Sequence, residues 1–420
     1  MARLLTAKDV TGIMNLLYRQ ATGRDDISNV DLSNFASVGE QVLATGKENV
    51  LNSLSIVLGR TISAIRPYGA KLGIIDAIST GEYTHRFRKI SYYSKDAIEA
   101  GFLNTDINTN MKDGYDNGTN NGHSTPSMWK QDVPPVLELN FAGQDVWQEE
   151  LTLFEKQVST AFRSPDELAS FLNGILTQKL NSIEKRKEGF RRGTLLQHIA
   201  GVYKLGNSNS KGSVVNLTAR YNAEYGTSYT SQELRTAHRE DFLKFFVSEF
   251  KLASDYMTEY SRLYHYNPPK TVDNVNYYLN RHTSKDNQKS ILYGPLFTKA
   301  KADVLPSIFN PEYLKVEANE MVNYWQDIKN PEQIDITPAL PEGIETSEVN
   351  IPYVVGALFD KDAILTDTQW EDSSVTPLEA RKKYRNMFWD FSYNAISDFT
   401  ENCVIFIMED SEDQDDEEEP

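Results

Sequence analysis

The chain has 420 residues, 40% of them apolar and 11% aromatic, enough for a sizeable buried core and for two or three domains. Its net charge of −17, with no strongly basic stripe, excludes a conventional sequence-reading nucleic-acid binder. One cysteine, Cys403, excludes an internal disulfide, and no window approaches the roughly 18 uncharged apolar residues of a membrane span.

The opening stretch MARLLTAKDVTGIMNLLYRQATG lacks the continuous apolar core of a signal peptide, so the chain is expected to be soluble and cytoplasmic when made. Leu4, Leu5, Val10, Ile13, Leu16 and Leu17 recur at spacings of three and four. Val50, Leu51, Leu54, Val57, Leu58 and Ile62 do the same, with turn and capping chemistry at Asp31, Ser33 and Asn34 between the two sets. Residues 1–68 therefore read as an extended helical arm.

Next comes GIIDAISTGEYTHRFRKISYYS, rich in β-branched and aromatic residues. PPVLELNF returns as a strand, with Leu137, Leu139 and Phe141 on one face and Glu138 and Asn140 on the other. Between them, Asn104 to Gly122 holds six asparagines, three glycines and three aspartates. Ordering that run would cost roughly 20–40 kcal/mol at about 1–2 kcal/mol per residue, and it brings almost no apolar surface to offset this. The pattern over 69–146 predicts a long β-hairpin whose distal end projects from the body. A disordered loop and an arm ordered only against another copy both fit the run.

Ser164, Pro165 and Glu167 form a helix start: cap, first-turn proline and capping glutamate. Leu168, Phe171, Leu172, Ile175, Leu176, Leu180 and Ile183 then lie on one apolar face, which wants a sheet or helix to cross. The helix is expected to end near Glu188, after about 36 Å at about 1.5 Å per residue, with Gly189, Gly193 and Gly201 marking its end. The basic cluster EKRKEGFRRG then reads as an exposed helix end, and GNSNSKGS as a loop.

Thr230 and Glu233 suggest a capping box opening a helical segment that ends before Pro268. Phe242, Phe245, Phe246, Leu252, Tyr256, Met257, Tyr260 and Leu263 would line it. Ser290 to Tyr293 reads as a strand, Lys299 to Phe309 as a short helix, and residues 326–352 as loops. IPYVVGALFDKDAIL is a buried strand running into a turn. At the end, Trp389, Phe391 and Tyr393 alternate as in a strand, and Cys403 to Met408 is continuously apolar, as in a strand buried on both faces. The run EDSEDQDDEEE, residues 409–419, carries nine carboxylates, more than half of the net charge, and reads as a solvated tail.

Chemical motifs are sparse. No phosphate-cradling GxxxxGK[ST], strand-linked GxGxxG or GxSxG occurs. The histidines at 85, 123, 198, 238, 265 and 282 share no metal-ligand spacing. Cys403 reads as a small buried hydrophobe, and Asp360 and Asp362 as a strand-ending turn. No catalytic, cofactor-binding or metal-ligating residue is assigned, and no cofactor is expected.

The order of five stretches resembles the major capsid proteins of tailed bacteriophages with the Hong Kong 97-type fold, above all those of small short-tailed phages. These are the interrupted hairpin, STAFRSPDELASFLNGILTQKLNSIE, NRHTSKDNQKSILYGPLFTKAKADVLPSIFN, VVGALFDKDAIL and FWDFSYNAISDFTENCVIFI, spanning roughly residues 70–408. The resemblance implies an α+β fold with a helical arm (1–68), an extended loop (69–146) and a peripheral domain with a spine helix (147–212). An apical domain (213–375), closing peripheral strands (376–408) and an acidic disordered tail (409–420) complete it. It implies a shell of pentamers and hexamers around double-stranded DNA, with a scaffolding protein, a portal and minor head proteins as further partners and no membrane. The location implied is the virion, after synthesis in the host bacterial cytoplasm. The loop tip would touch a neighbouring subunit through Asn104, Asn108, Asn110, Met111, Lys112, Tyr115, Asn117 and Trp129. Some relatives crosslink a loop lysine to a neighbour's asparagine, a role open to Lys112, though turn chemistry alone accounts for the asparagines. The Asn/Gly-rich tip and acidic tail depart from the family pattern. An encapsulin-like cargo compartment or another virion component are the alternatives.

Overall fold

The computed structural model describes residues 7–22, 30, 34–44, 71–80, 86–94, 133–154, 156–157, 165–209, 212–268, 270–272, 275–298 and 318–410. Ser164, the arm helix expected over 50–62, the run 104–122 and the helix expected over 299–309 lie outside the described residues.

Helices α1 (Ala7–Thr22) and α2 (Phe35–Ala44) open the chain. Met14, Leu17 and Tyr18 of α1 and Phe35, Val38 and Val42 of α2 are buried in one cluster with Leu168, Leu172, Leu180 and Ile183. The described helices of the expected arm, α1 and α2, are thus packed on the body and do not extend from it. Burial of an apolar helix stripe yields about 25 cal/mol per Å², and the long helix offers a matching face. Leu16, placed on that stripe by its spacing, is exposed.

Strand β1 (Asp76–Ile78) precedes the hairpin of β2 (Arg86–Tyr92) and β3 (Val136–Ala142), with Arg86 opposite Ala142 and Tyr92 opposite Val136. The next strand, β4 (Asp145–Phe154), was not anticipated. Trp147, Leu151 and Leu153 alternate along it, but Glu149 interrupts their face. That carboxylate is satisfied from the long helix, by the Ser182 hydroxyl at 2.5 Å and the Lys179 ammonium at 3.2 Å.

The long helix, α3 (Pro165–Asn209), runs 45 residues, about twice the expected length. It passes straight through the glycines that were expected to end it. One of these, and a later helix glycine, mark close approaches: a Cβ on Gly201 would lie 2.3 Å from the Phe399 ring, and one on Gly206 2.5 Å from Val214. Burial of Leu195, Leu196, Ile199, Ala200, Val202 and Leu205 outweighs the roughly 0.5–1 kcal/mol that each helical glycine costs. The basic cluster 184–193 is therefore mid-helix, with Glu184 and Arg192 buried. The expected loop GNSNSKGS is helical as far as Asn209.

Strand β5 (Val214–Asn216) leads into α4 (Leu217–Tyr225), α5 (Ser231–Thr236) and α6 (Arg239–Tyr256). Thr230 and Glu233 form a capping box on α5. The segment ends at Tyr256, however, well short of Pro268. Phe242, Phe245, Phe246 and Met257 are buried, whereas Leu252, Tyr256, Tyr260 and Leu263 are exposed. A hairpin of β6 (Lys270–Val272) and β7 (Val275–Tyr277) follows, then β8 (Gln288–Tyr293), α7 (Gly294–Thr298) and β9 (Ala318–Val322). The expected loops of 326–352 contain a short antiparallel pair, β10 (Ile334–Ile336) and β11 (Val349–Ile351). The chain closes with β12 (Val354–Asp360), β13 (Ile364–Val375), β14 (Tyr384–Ser397) and β15 (Cys403–Ile407).

Two larger sheets result, in the orders β1-β13-β14-β4 and β5-β15-β12-β8-β9. The first half of α3 packs on the former, against Met387, Trp389, Phe391 and Tyr393. The second half enters the core of the latter, with Leu358, Val404 and Phe406. The closing strands therefore part company: β14 lies on the first half of α3, whereas β15 pairs with β12 and β5 in the other sheet. A fully apolar strand needs cover on both faces, and only an interior position supplies it.

The start of the acidic tail is docked. The Tyr203 hydroxyl donates to Glu409 at 2.8 Å, and the Ser231 backbone N–H donates to Asp410 at 2.5 Å, beside the N-terminus of α5. Residues 411–420 lie outside the described residues.

Candidate subunit-contact surfaces

The β2–β3 hairpin has two chemically distinct faces, set by strand alternation. Phe87, Lys89 and Ser91 with Leu137, Leu139 and Phe141 point inward. Arg86, Arg88, Ile90 and Tyr92 with Val136, Glu138, Asn140 and Ala142 point outward. Along its described length the hairpin lies on the body. Tyr93 is buried with Tyr277 and Leu279, and Ser94 bridges to Tyr278. The projecting hairpin expected from the sequence is thus anchored at both described strands.

The outward face carries large apolar side chains in water: Tyr92 is 70% exposed, Val136 49% and Ile90 48%. Beside them Arg88 pairs with Glu138 at 2.8 Å, both exposed, a contact worth little by itself. A two-stranded ribbon is marginal alone and leaves strand edges free for pairing. This face is not legible in the sequence, because Ile90 and Tyr92 look like ordinary strand residues.

Further large apolar side chains are exposed on α4, on α6 and just after α6: Tyr225, Leu252, Tyr256, Tyr260 (66% exposed) and Leu263. The two helices are joined by the Arg220–Glu249 ion pair (2.6 Å). Exposed aromatic side chains are favoured in protein interfaces.

All eight tip residues, Asn104, Asn108, Asn110, Met111, Lys112, Tyr115, Asn117 and Trp129, lie outside the described residues. On α3, Leu168, Leu172, Leu180 and Ile183 are buried, and Phe171 and Ile175 are partly buried against the same cluster. Leu176 is on the helix, but its side chain lies outside the description.

Groups with chemical potential are engaged in structure. Burial pushes the Cys403 thiol up, away from reactivity. Burial also raises Asp360, which accepts from the Thr283 hydroxyl at 2.8 Å and the Asp362 backbone N–H at 2.9 Å. Among the described residues no group of three His, Cys, Asp or Glu side chains could hold a metal, and no helix is long and apolar enough to cross a membrane. An open groove of about 830 Å³ beside α3 is lined by Trp147, Gln148, Lys185, Arg186 and the edges of Gly189 and Gly193, together with the Ser182–Glu149 pair.

No family model matches the chain, and no curated protein matches it. Solved structures do. The chain is similar to the capsid structure of Staphylococcus phage Andhra (TM-score 0.49, 9% identity, 81% of this chain and 84% of that chain). It is similar to the structure of head fiber and inner core protein gp22 of native bacteriophage P68 (TM-score 0.45, 10% identity, 82% and 88%). It is also similar to the capsid structure of the Cyanophage P-SCSP1u (TM-score 0.42, 9% identity, 80% and 87%).

Proposed function

We propose that the chain is the major capsid protein of a tailed bacteriophage, building an icosahedral shell from pentamers and hexamers around double-stranded DNA. The observation that carries this reading is the single 45-residue helix α3, whose two halves enter two different cores. It acts as a strut joining two sheets, and the β2–β3 hairpin exposes Ile90, Tyr92 and Val136 on its outer face. That architecture serves load-bearing contact with other copies, and the chain's functional chemistry is surface complementarity. On this reading the fold is of the Hong Kong 97 type, with the four-stranded sheet and the first half of α3 as the peripheral domain and the five-stranded sheet as the apical domain.

The same reading gives the run 104–122 its role. Its ordering cost is offset on a neighbouring subunit, through Asn104, Asn108, Asn110, Met111, Lys112, Tyr115, Asn117 and Trp129. A modestly acidic body suits a shell lumen, because counterions between like-charged surfaces leave packaged duplex free to slide. Scaffolding protein, portal and minor head proteins are the partners such a shell requires, and the virion is its location.

Electron microscopy of the expressed full-length chain, alone and with a co-expressed scaffolding protein, tests the reading. Closed shells or curved sheets are expected. A discrete monomer or dimer under every assembly condition would overturn it.

A further inference from the structure

Strand β2 is held to the body by one buried cluster of charge. Lys89 Nζ lies 2.5 Å from Asp398 Oδ2 and 2.5 Å from Glu401 Oε1, in the turn between β14 and β15. The Lys89 side chain is 20% exposed and that of Asp398 only 1%. Arg281 completes the cluster. It lies 3.5 Å from Glu401 and donates to the Ser91 hydroxyl on β2 at 2.8 Å and to the Thr400 carbonyl at 3.0 Å. Two cations thus face two carboxylates.

The turn has its own anchors, independent of Lys89. Asp398 Oδ1 accepts from the Thr400 backbone N–H and hydroxyl at 2.8 and 2.7 Å. Phe399 fills the space left by Gly201 on α3 and stacks on His198, whose Nδ1 is 2.9 Å from the Ser397 hydroxyl. Asn402 is held by His265, which is engaged at both ring nitrogens. The turn therefore stays in place if β2 moves, and it ties the hairpin to the long helix.

We propose that Lys89, Asp398 and Glu401 form an acid-released latch, which fixes the β2–β3 hairpin to the body at neutral pH and lets its inner face loosen when Glu401 takes up a proton. The proposal does not depend on the capsid reading. Its sign follows from linkage. With the turn fixed, the change that Glu401 feels on release is chiefly the loss of the Lys89 ammonium. Burial raises the pKa of Glu401, and Lys89 and Arg281 pull it back down. Loss of Lys89 would raise it further, so proton uptake favours the released hairpin. Asp398 also faces His198, whose charged form it favours against burial. Asp360, at the end of β12, is the remaining acid that feels Lys89. Arg86 and Arg88 lie on the outer face, away from the cluster. The apolar anchor at Tyr93 does not titrate in this range, so release loosens residues 86–91 without detaching the hairpin.

Hydrogen exchange read by mass spectrometry on the full-length chain tests this at pH 7.5 and 4.5, after correction for intrinsic exchange rates. Samples of equal light scattering are compared, and β12 serves as internal reference. Protection over 86–91 should fall at least tenfold at the lower pH while β12 keeps its own. Glu401→Gln, a neutral mimic of the protonated acid, should show reduced protection already at pH 7.5. Lys89→Met should show low protection at both pH values. Unchanged relative protection of the wild type between the two pH values would overturn the proposal. So would a Glu401→Gln chain with the full wild-type response.

Discussion

His198 is completely buried on α3, and only one of its ring nitrogens has a partner. Burial disfavours its charged form and pulls its pKa from 6.5 to about 4, although Asp398 opposes the shift. A folded value below the unfolded one means that the fold loses stability as pH falls from 6.5 towards 4. At about 1.4 kcal/mol per unit the loss is on the order of 3 kcal/mol. Glu401 works in the opposite sense: its raised folded value adds stability as pH falls towards the ordinary carboxylate range. Urea unfolding at pH 7 and pH 4.5 should show a smaller acid loss for His198→Gln than for the wild type. An equal loss in both would mean that His198 is solvated or paired in the fold. Nothing in the sequence singles out His198 from the other histidines, because its state is set by Ser397 and Phe399, some two hundred residues away. The same holds for Asp410, which looks like tail until Ser231 is brought beside it.

Elements with one dominant period were the legible ones. The stripe from Leu168 to Ile183 is regular, and so is the alternation of β14. The length of α3 was not legible, because a glycine that ends a helix and one that admits a neighbour look alike in a single sequence. The contrast can be measured. A Cβ at Gly193 meets nothing within 4 Å, whereas one at Gly201 meets the Phe399 ring at 2.3 Å. Gly193→Ala should therefore stabilise the chain by about 0.5–1 kcal/mol through lost unfolded-state entropy. Gly201→Ala should destabilise it by about 1–3 kcal/mol, as overpacking does. Chemical denaturation of both variants decides the matter, and equal shifts would mean that Phe399 is not seated on α3. Strand β4 escaped notice for a different reason: Glu149 breaks its apolar face, and its partners Lys179 and Ser182 lie on another element.

At the scale of the whole molecule, the sequence order conceals which strands share a sheet. β14 and β15 are separated by five residues yet serve different cores, and α3 serves both. The role we propose for the run 104–122 belongs to this scale too, because it would be set by what lies outside one chain. Its flanking strands are in fixed register, Tyr92 opposite Val136, and β2 is tied down at Lys89 and Tyr93. A short Gly-Ser turn in its place should leave that register intact, since closure cost changes slowly with loop length. Circular dichroism and melting of the isolated subunit should then be nearly unchanged. On the capsid reading we propose, assembled shells should form in lower yield or burst at lower temperature, because the neighbour contacts that would offset the ordering cost are lost. Shells of wild-type stability from the trimmed chain would show that the run decorates the surface and binds no neighbour. An isolated subunit that melts markedly lower would show instead that the run packs on its own body.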